Sequence, residues 1–350
     1  MDSNRIKVGI SQGDINGIGY EIIIKALMDN RILDICTPVV YGSPKVAAYH
    51  RKALNISNFS FNNIKSPEEA NAKRANIINC LSDEIRVELG KSTSIAGEAS
   101  FICLEKAIAD LKNNKLDVLI TAPINKDNIQ SDNFKFPGHT EYLQDQFESE
   151  EVLMFLVSSL MRIGVVAGHV PVNKIPDLIT EENIIQKLNI MNNSLLVDFG
   201  IRKPRIAVLG LNPHAGDNGV IGDEEKEIII PAIKKAREEN IMAMGPYSAD
   251  GFFASGLFKK FDAILAMYHD QGLAPFKALV RDDGVNFTAG LPIVRTSPAH
   301  GTAFEIAGKN EANADSFRNA IYMACDIYKN RKEYSDLSSN QMKSFDISEI

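Results

Sequence analysis

Apolar runs of strand length alternate with segments of helical period along almost the whole chain, and no other feature constrains its fold as much. Residues 6–11 form an apolar run that ends in a glycine-rich turn, and 22–28 continue as a helix. Residues 38–41 read as a second strand, followed by a helix over 45–54. Phe101, Leu104, Ile108 and Leu111 keep a helical period from 99 to 112, and 116–121 return to a strand. After a loop rich in Asn, Asp, Pro and Gly the alternation resumes and continues past 261–267. This order implies parallel strands linked by helices, hence a layered α/β fold. Asp223 is expected to cap a helix that runs to about Asn240 and is kinked by Pro231.

With 350 residues the chain has room for two domains of ordinary size. Crossings between them are expected in the loop 125–136 and near 292–300. A net charge of −7 argues against nucleic-acid binding, which requires a basic face. It leaves an anionic small substrate open, because the field inside a cleft can oppose the overall charge. No apolar stretch reaches membrane-spanning length, and Met1-Asp2-Ser3-Asn4-Arg5 lacks a signal-peptide pattern. Cys36, Cys80, Cys103 and Cys325 are scattered, which fits reduced thiols in a cytoplasmic protein. The tail after Tyr334 is polar and is expected to fray.

Three of the six histidines lie just past the ends of expected strands: His169 after 162–167, His214 after 205–211, and His269 after 261–267. Ligands of open α/β sheets collect outside the carboxyl ends of the strands. Three imidazoles delivered there make a metal site with room left for substrate, whereas each alone is equally an ordinary loop histidine. Asp270, next to His269, can orient that imidazole or serve as a base. Lys126 ends the segment 121–126 and either reaches a carboxylate or phosphate or is a solvated loop lysine. In 136–141, Pro137-Gly138 turns the chain, Thr140 can cap a helix, and the helix N-terminus favours an anion. His139 there either donates to a phosphate or is a plain loop residue.

Lys277, Asn286 and Arg295 follow through strand-like segments and carry the chemistry of anion and amide recognition. Gly13-Asp14-Ile15-Asn16-Gly17-Ile18-Gly19 fits both a tight structural turn and an anion-binding loop, and the GxGxxG spacing is absent. Near His300, Gly301 lets a flat or phosphorylated ligand lie close to backbone. His50 is assigned to surface or packing.

Taken together, GDINGIG, TAPINK, FPGHTEYL, AGHVPV, LNPHAGDNGVIGDEE, YHDQGLAPFK, GVNFTAGLP and RTSPAHGTAFEIAGK run collinearly from residue 13 to about residue 309. In this order they resemble the 4-hydroxythreonine-4-phosphate dehydrogenase family of pyridoxal phosphate biosynthesis, within the wider isocitrate and isopropylmalate dehydrogenase-like fold. The resemblance implies two α/β/α layered domains with a cleft between them. These are 1–128 with 300–350, and 129–299, the second carrying most metal and substrate residues. It implies a divalent metal on His169, His214 and His269, zinc first, with magnesium or cobalt as alternatives. His139, Thr140, Lys277, Asn286 and Arg295 are then the contacts to a phosphorylated amino-acid substrate. HGTAFEIAGK looks like an adenine-side cofactor loop, so His300, Gly301 and Thr302 are expected to bind NAD, with NADP as the alternative. Glu305, nearer the turn than Lys309, leans toward NAD. A homodimer is implied, with one metal histidine borrowed from the other subunit. The chain departs from the family at Ile15 and Tyr20, where prolines are usual, and at Ala299, where an aspartate is usual.

The implied reaction is metal-dependent oxidation of 4-hydroxythreonine 4-phosphate (4-phosphooxy-L-threonine) to a β-keto acid, which decarboxylates to 3-amino-2-oxopropyl phosphate. The base is assigned to Asp270 or Lys126. One alternative is a paralogous dehydrogenase of phosphorylated threonate or erythronate. Another, of a different class, is a phosphate acyltransferase on a related fold, which has no use for the three strand-end histidines. A non-catalytic metabolite-binding protein is the third.

Overall fold

The computed structural model describes residues 5–339. Six strands belong largely to the N-terminal half: β1 (Ile6–Ser11), β2 (Cys36–Gly42), β3 (Asn62–Ile64), β4 (Asn76–Asn79), β5 (Val118–Thr121) and β6 (Leu153–Val157). Six more follow: β7 (Arg162–Ala167), β8 (Arg205–Leu209), β9 (Met242–Tyr247), β10 (Ala263–Tyr268), β11 (Val285–Ala289) and β12 (Val294–Pro298). Among the described residues all twelve join one sheet, in the order β3-β4-β2-β1-β5-β12-β11-β6-β7-β10-β8-β9. The central strands are apolar on both faces, as β2 illustrates with every residue buried. Helices covering both faces of a parallel sheet require this. Several of those helices start where the chain supplies a cap: Ser43 ahead of Pro44–Ala53, Thr93 ahead of Ser94–Lys112, and Thr180 ahead of Glu181–Val197.

The α/β reading holds, but the sheet is not all parallel. β11 runs antiparallel to both β12 and β6, and β6 runs antiparallel to β7. Only four residues separate β6 from β7 and β11 from β12, too few for a crossover helix, so each pair closes as a hairpin. Ser158 N–H donates to the Met161 carbonyl in the first, and Gly290 with φ +91° turns the second. Strand direction therefore reverses in the middle of the sheet. β12, placed where a crossing loop was expected, bridges the two parallel blocks through β5 and β11.

The long helix Asp315–Ser339 packs across β12, β5 and β11 on one face and runs beyond Tyr334, where fraying was expected. The rest of that tail lies outside the described residues. The helix expected after Asp223 begins instead as a π turn over Glu225–Ile229 and becomes α-helical at Ile230–Glu238. Pro231, which has no N–H to give, sits in the first α turn. No side chain caps the segment, and Asp223 contributes only its carbonyl, to Glu227 N–H. All four cysteines are free and buried. Among the described residues no helix is long and apolar enough to cross a membrane.

The C-terminal helix is tied to the far half of the molecule by Arg331. Its Nε donates to Asp198 Oδ1 at 2.6 Å, while Ser194 Oγ donates to Asp198 Oδ2 at 2.6 Å. Asp198 is buried, so removing its cation strands a charge in the interior. Arg331→Met should lower the unfolding free energy by about 3 kcal/mol in urea titrations, and adding Asp198→Asn should recover part of that loss. A loss below about 1 kcal/mol for Arg331→Met would show the pair to be no more than a surface ion pair.

Candidate active site

Where strand direction reverses, one face of the sheet is left without a covering helix. With roughly 20–25° of twist between neighbours, the four steps from β5 to β7 turn the sheet by about 80–100°. This saddle brings the end of β5 and the ends of β7 and β10 around one cleft of about 250 Å³. Its floor is made by alternate residues of the reversing strands: Met154 and Leu156 from β6, Asn286 from β11, Arg295 and Ser297 from β12.

Arg295 is almost fully buried, and among the described residues no carboxylate pairs with it. Its Nε and Nη2 donate to Thr121 Oγ1 at 3.1 and 2.7 Å, and its Nη1 to Thr288 Oγ1 at 3.2 Å. Burial lowers its pKa to about 10, partly opposed by the more distant Glu141. Beside it His139 opens the helix His139–Gln146, and its Nε2 is buried without a partner. Burial first, then the charges of Arg295 and Lys126, hold that imidazole well below its ordinary pKa. His139 is therefore neutral at neutral pH. Lys126, Thr140 and Lys277 complete the wall, and Asn286 Oδ1 faces in with no partner. A cavity with a buried guanidinium that has no carboxylate partner, two lysines and an unpartnered ring nitrogen on His139 suits an anion, while the Asn286 oxygen calls for a donor.

Two local expectations change. Thr140 lies inside the helix rather than capping it; Gly138 is the N-cap. Lys277 is on the helix His269–Leu279, not on a strand, while Asn286 and Arg295 are on strands as expected. The spacing was misleading because Gly272 and Pro275 interrupt the helical pattern there.

His169 and His269 follow β7 and β10 and stand side by side, their ring centroids 5.8 Å apart. His269 Nδ1 bonds Asp270 Oδ1 at 2.6 Å, and His169 Nδ1 meets Glu141 Oε1 at 3.5 Å. That contact with His169 is the main reason the Glu141 carboxyl lies below its usual range. Carboxylates on both Nδ1 atoms leave each Nε2 for a ligand, an arrangement that suits a divalent cation. Asp270 does not line the Arg295 cleft; it lines a neighbouring hollow together with Val170, Ile175 and Leu211.

His214 does not join this pair within the chain. It lies in a stretch from His214 to Gly219 whose φ values are all positive. It acts on Asp250, whose carboxyl is held below its ordinary value first by the Ser248 hydroxyl and also by His214. Among the described residues no three His, Cys, Asp or Glu side chains are grouped to hold a metal ion. Glu225, which sequence reasoning missed, organises this loop: its Oε1 accepts Leu211 N–H at 2.7 Å and Asn212 N–H at 2.8 Å. Acidic neighbours at 223–225 hid it among surface charges.

At the other wall, His300 and Gly301 line the cleft, His300 Nε2 is buried without a partner, and Gly301 faces open space. These features suit a ligand laid along backbone. Thr302 is turned away, its carbonyl accepting Ile18 N–H at 3.0 Å. His50 is buried beneath the first loop and donates from Nε2 to the Ile15 carbonyl at 2.8 Å.

Residues 34–324 match the family model described as pyridoxal phosphate biosynthetic protein PdxA. The chain belongs to this family. A 4-hydroxythreonine-4-phosphate dehydrogenase of Bacteroides thetaiotaomicron is 54% identical over 345 residues, covering 98% of this chain and 94% of the relative. Another, from Sulfurihydrogenibium sp., is 41% identical and covers 93% of this chain and all of the relative. The crystal structure of 4-hydroxythreonine-4-phosphate dehydrogenase from Klebsiella pneumoniae superimposes with a TM-score of 0.80 at 32% identity, covering 93% of this chain and 100% of that one. Two of the residues that depart from the family pattern are core residues here: Ile15 is fully buried, and Tyr20 donates to Gln12 Oε1 at 2.6 Å. Ala299 lines the cleft.

A buried cation awaiting its anion costs stability in the empty protein. Arg295→Met should therefore raise the midpoint of thermal unfolding, by the equivalent of about 1–3 kcal/mol, and a phosphorylated ligand that stabilises the native protein should fail to stabilise the variant. A variant that is less stable and still responds to such ligands would show that Arg295 is structural.

Proposed function

We propose that the chain is a cytoplasmic, NAD-linked oxidoreductase that converts 4-hydroxythreonine 4-phosphate to a β-keto acid, which then loses carbon dioxide to give 3-amino-2-oxopropyl phosphate. The observation that carries this reading is the buried, unpaired Arg295 beside neutral His139, in a member of this family. His139, Thr140, Lys277, Asn286 and Arg295 hold the phosphorylated substrate. Arg295 and Lys277 neutralise the phosphate, and neutral His139 donates one hydrogen bond without adding charge. His169 and His269 fit two positions of a divalent metal site, zinc first. His214, which stands apart from them in one chain, is the ligand exchanged between the subunits of a homodimer.

His300 and Gly301 receive the dinucleotide, and Thr302 fixes the loop behind them. A metal held by His169 and His269 would acidify the substrate hydroxyl, and a nicotinamide against His300 and Gly301 would supply the hydride acceptor. The base is Lys126, which lines the cleft and can take the hydroxyl proton only as the free amine, and Asp270 orients His269. The cleft lies between the proposed domains, 1–128 with 300–350 and 129–299.

The deciding measurement is reduction of NAD and of NADP with a panel of substrates, before and after chelation. Oxidation of 4-hydroxythreonine 4-phosphate with NAD, lost on chelation and regained with zinc, magnesium or cobalt, is the expected result. A higher kcat/KM for phosphorylated threonate or erythronate would replace the substrate, and a higher value with NADP would replace the cofactor. Acyl transfer to phosphate without metal would overturn the reading altogether.

A charge-assisted hydrogen bond is worth about 1.5–3 kcal/mol, so Lys277→Ala should raise KM for the phosphorylated substrate by roughly ten-fold or more. On the dephosphorylated compound the native protein and the variant should differ little. Equal losses on both would give Lys277 a different role.

A further inference from the structure

The loop Gly13–Gly19 has no part in the cleft, yet it holds two of the most buried polar side chains of the molecule, Asp14 and Asn16. It is not an anion site. Asn16 N–H donates to Asp14 Oδ1 at 2.8 Å, Gly17 N–H to the Asp14 carbonyl at 3.2 Å, and Ile18 N–H to the Thr302 carbonyl at 3.0 Å. The amides an anion would use are already occupied, and a carboxylate sits among them.

The two side chains reach three separate segments. Asp14 Oδ2 accepts Asn128 Nδ2–H at 2.8 Å, and Asp14 N–H donates to the Pro123 carbonyl at 2.9 Å, fixing the turn that carries Lys126. Asn16 Nδ2 donates to the Lys91 carbonyl at 2.9 Å and to Thr93 Oγ1 at 3.1 Å, and its Oδ1 accepts Glu88 N–H at 2.7 Å. The strap 88–93 held in this way lies against the loop that follows His300. A Cβ on Gly90 would meet the Phe304 carbonyl at 3.0 Å, and one on Gly308 would meet Leu89 at 2.5 Å. Gly17 abuts Thr302 from the other side, at 2.8 Å by the same measure. The loop 299–309 is thus gripped at Thr302, Phe304 and Gly308 by two segments, both organised by Asp14 and Asn16.

We infer that Asp14 and Asn16 are positioning residues, a buried hydrogen-bonded clasp that holds the loop 299–309 in the shape that receives the dinucleotide. This rests on the assignment of that loop to the cofactor. The clasp works through hydrogen-bond geometry and needs no charge. Asn128 Oδ1 has no partner, so its amide can turn to accept from an asparagine at position 14.

The test combines kinetics with amide hydrogen exchange on the full-length protein and Asp14→Ala, Asn16→Ala and Asp14→Asn. In Asp14→Ala and Asn16→Ala, exchange over 299–309 should quicken and KM for NAD should rise about ten-fold, the scale of one or two lost hydrogen bonds, with KM for the phosphorylated substrate within about two-fold. Asp14→Asn should stay within about three-fold of the native protein in every reading, because it keeps the hydrogen bonds and loses only the charge. Unchanged exchange over 299–309 would overturn the inference, as would an Asp14→Asn variant as damaged as Asp14→Ala. Should Asp14→Ala not fold, Asn16→Ala carries the same comparison. If the native protein reduces neither NAD nor NADP, the cofactor assignment falls, and hydrogen exchange alone still decides whether the clasp holds the loop.

Discussion

The reversal of strand direction between β12 and β7 is the constraint from which the rest of the molecule follows. A fully parallel sheet of this length would be sealed on both faces by its crossover helices. Two hairpins remove two of those helices and bare a patch of sheet face in the middle. The side chains that point out of that patch are the ones that make the cleft, with Arg295 at their centre. On the reverse face the helix Asp315–Ser339 seals the same strands, so the patch is open on one side only.

A bare patch alone would fill with apolar side chains. Here the polar atoms are left deliberately short of partners. Arg295 has two threonine hydroxyls in place of a carboxylate, and His139, Asn286 and His300 each present a buried atom with nothing to bond. Each omission costs stability in the empty protein; Arg295 and the ring nitrogens of His139 and His300 suit an anion, whereas the Asn286 oxygen calls for a donor. The acidic groups nearby are kept to the histidine side, where Glu141 and Asp270 meet His169 and His269 through Nδ1. Cationic groups thus gather around Arg295, while the carboxylates lie on the histidine side, Glu141 within the cleft and Asp270 outside it.

Much of this was legible in the sequence. The α/β class and the strands leading to His169, His214 and His269 could be read from pattern, whereas for residues 126, 139, 277, 286 and 295 the pattern left an ordinary surface or loop role open, and the substrate roles of 139, 277, 286 and 295 rest on the family resemblance. What could not be read had definite physical causes. The antiparallel centre is encoded only in two four-residue gaps, shorter than any crossover. Lys277 was placed on a strand because Gly272 and Pro275 break the apolar period of its helix. Glu225 and Asn128 act through hydrogen bonds to distant backbone and side chains, and nothing about their immediate neighbours distinguishes them from surface polar residues. His214 is a matter of three-dimensional placement: a strand end was predicted correctly, but a run of positive φ values carries the imidazole away from the other two.

The position of β12 has a consequence for how the chain is made. This strand, at residues 294–298, is the one that pairs β5 to β11 and so joins the two parallel blocks. The helix that covers it begins only at Asp315. During synthesis the N-terminal block therefore has a β5 edge without a neighbour on that side, and an apolar face without a cover, until β12 and the helix from Asp315 have left the ribosome. Local pairing such as β1 with β2 can form early, but closure of the central sheet waits for β12. The same late arrival builds the cleft, since Arg295 and His300 come with it. A nascent chain of this design lacks Arg295 and His300 until β12 has emerged, and until then the β5 edge has no partner strand on that side.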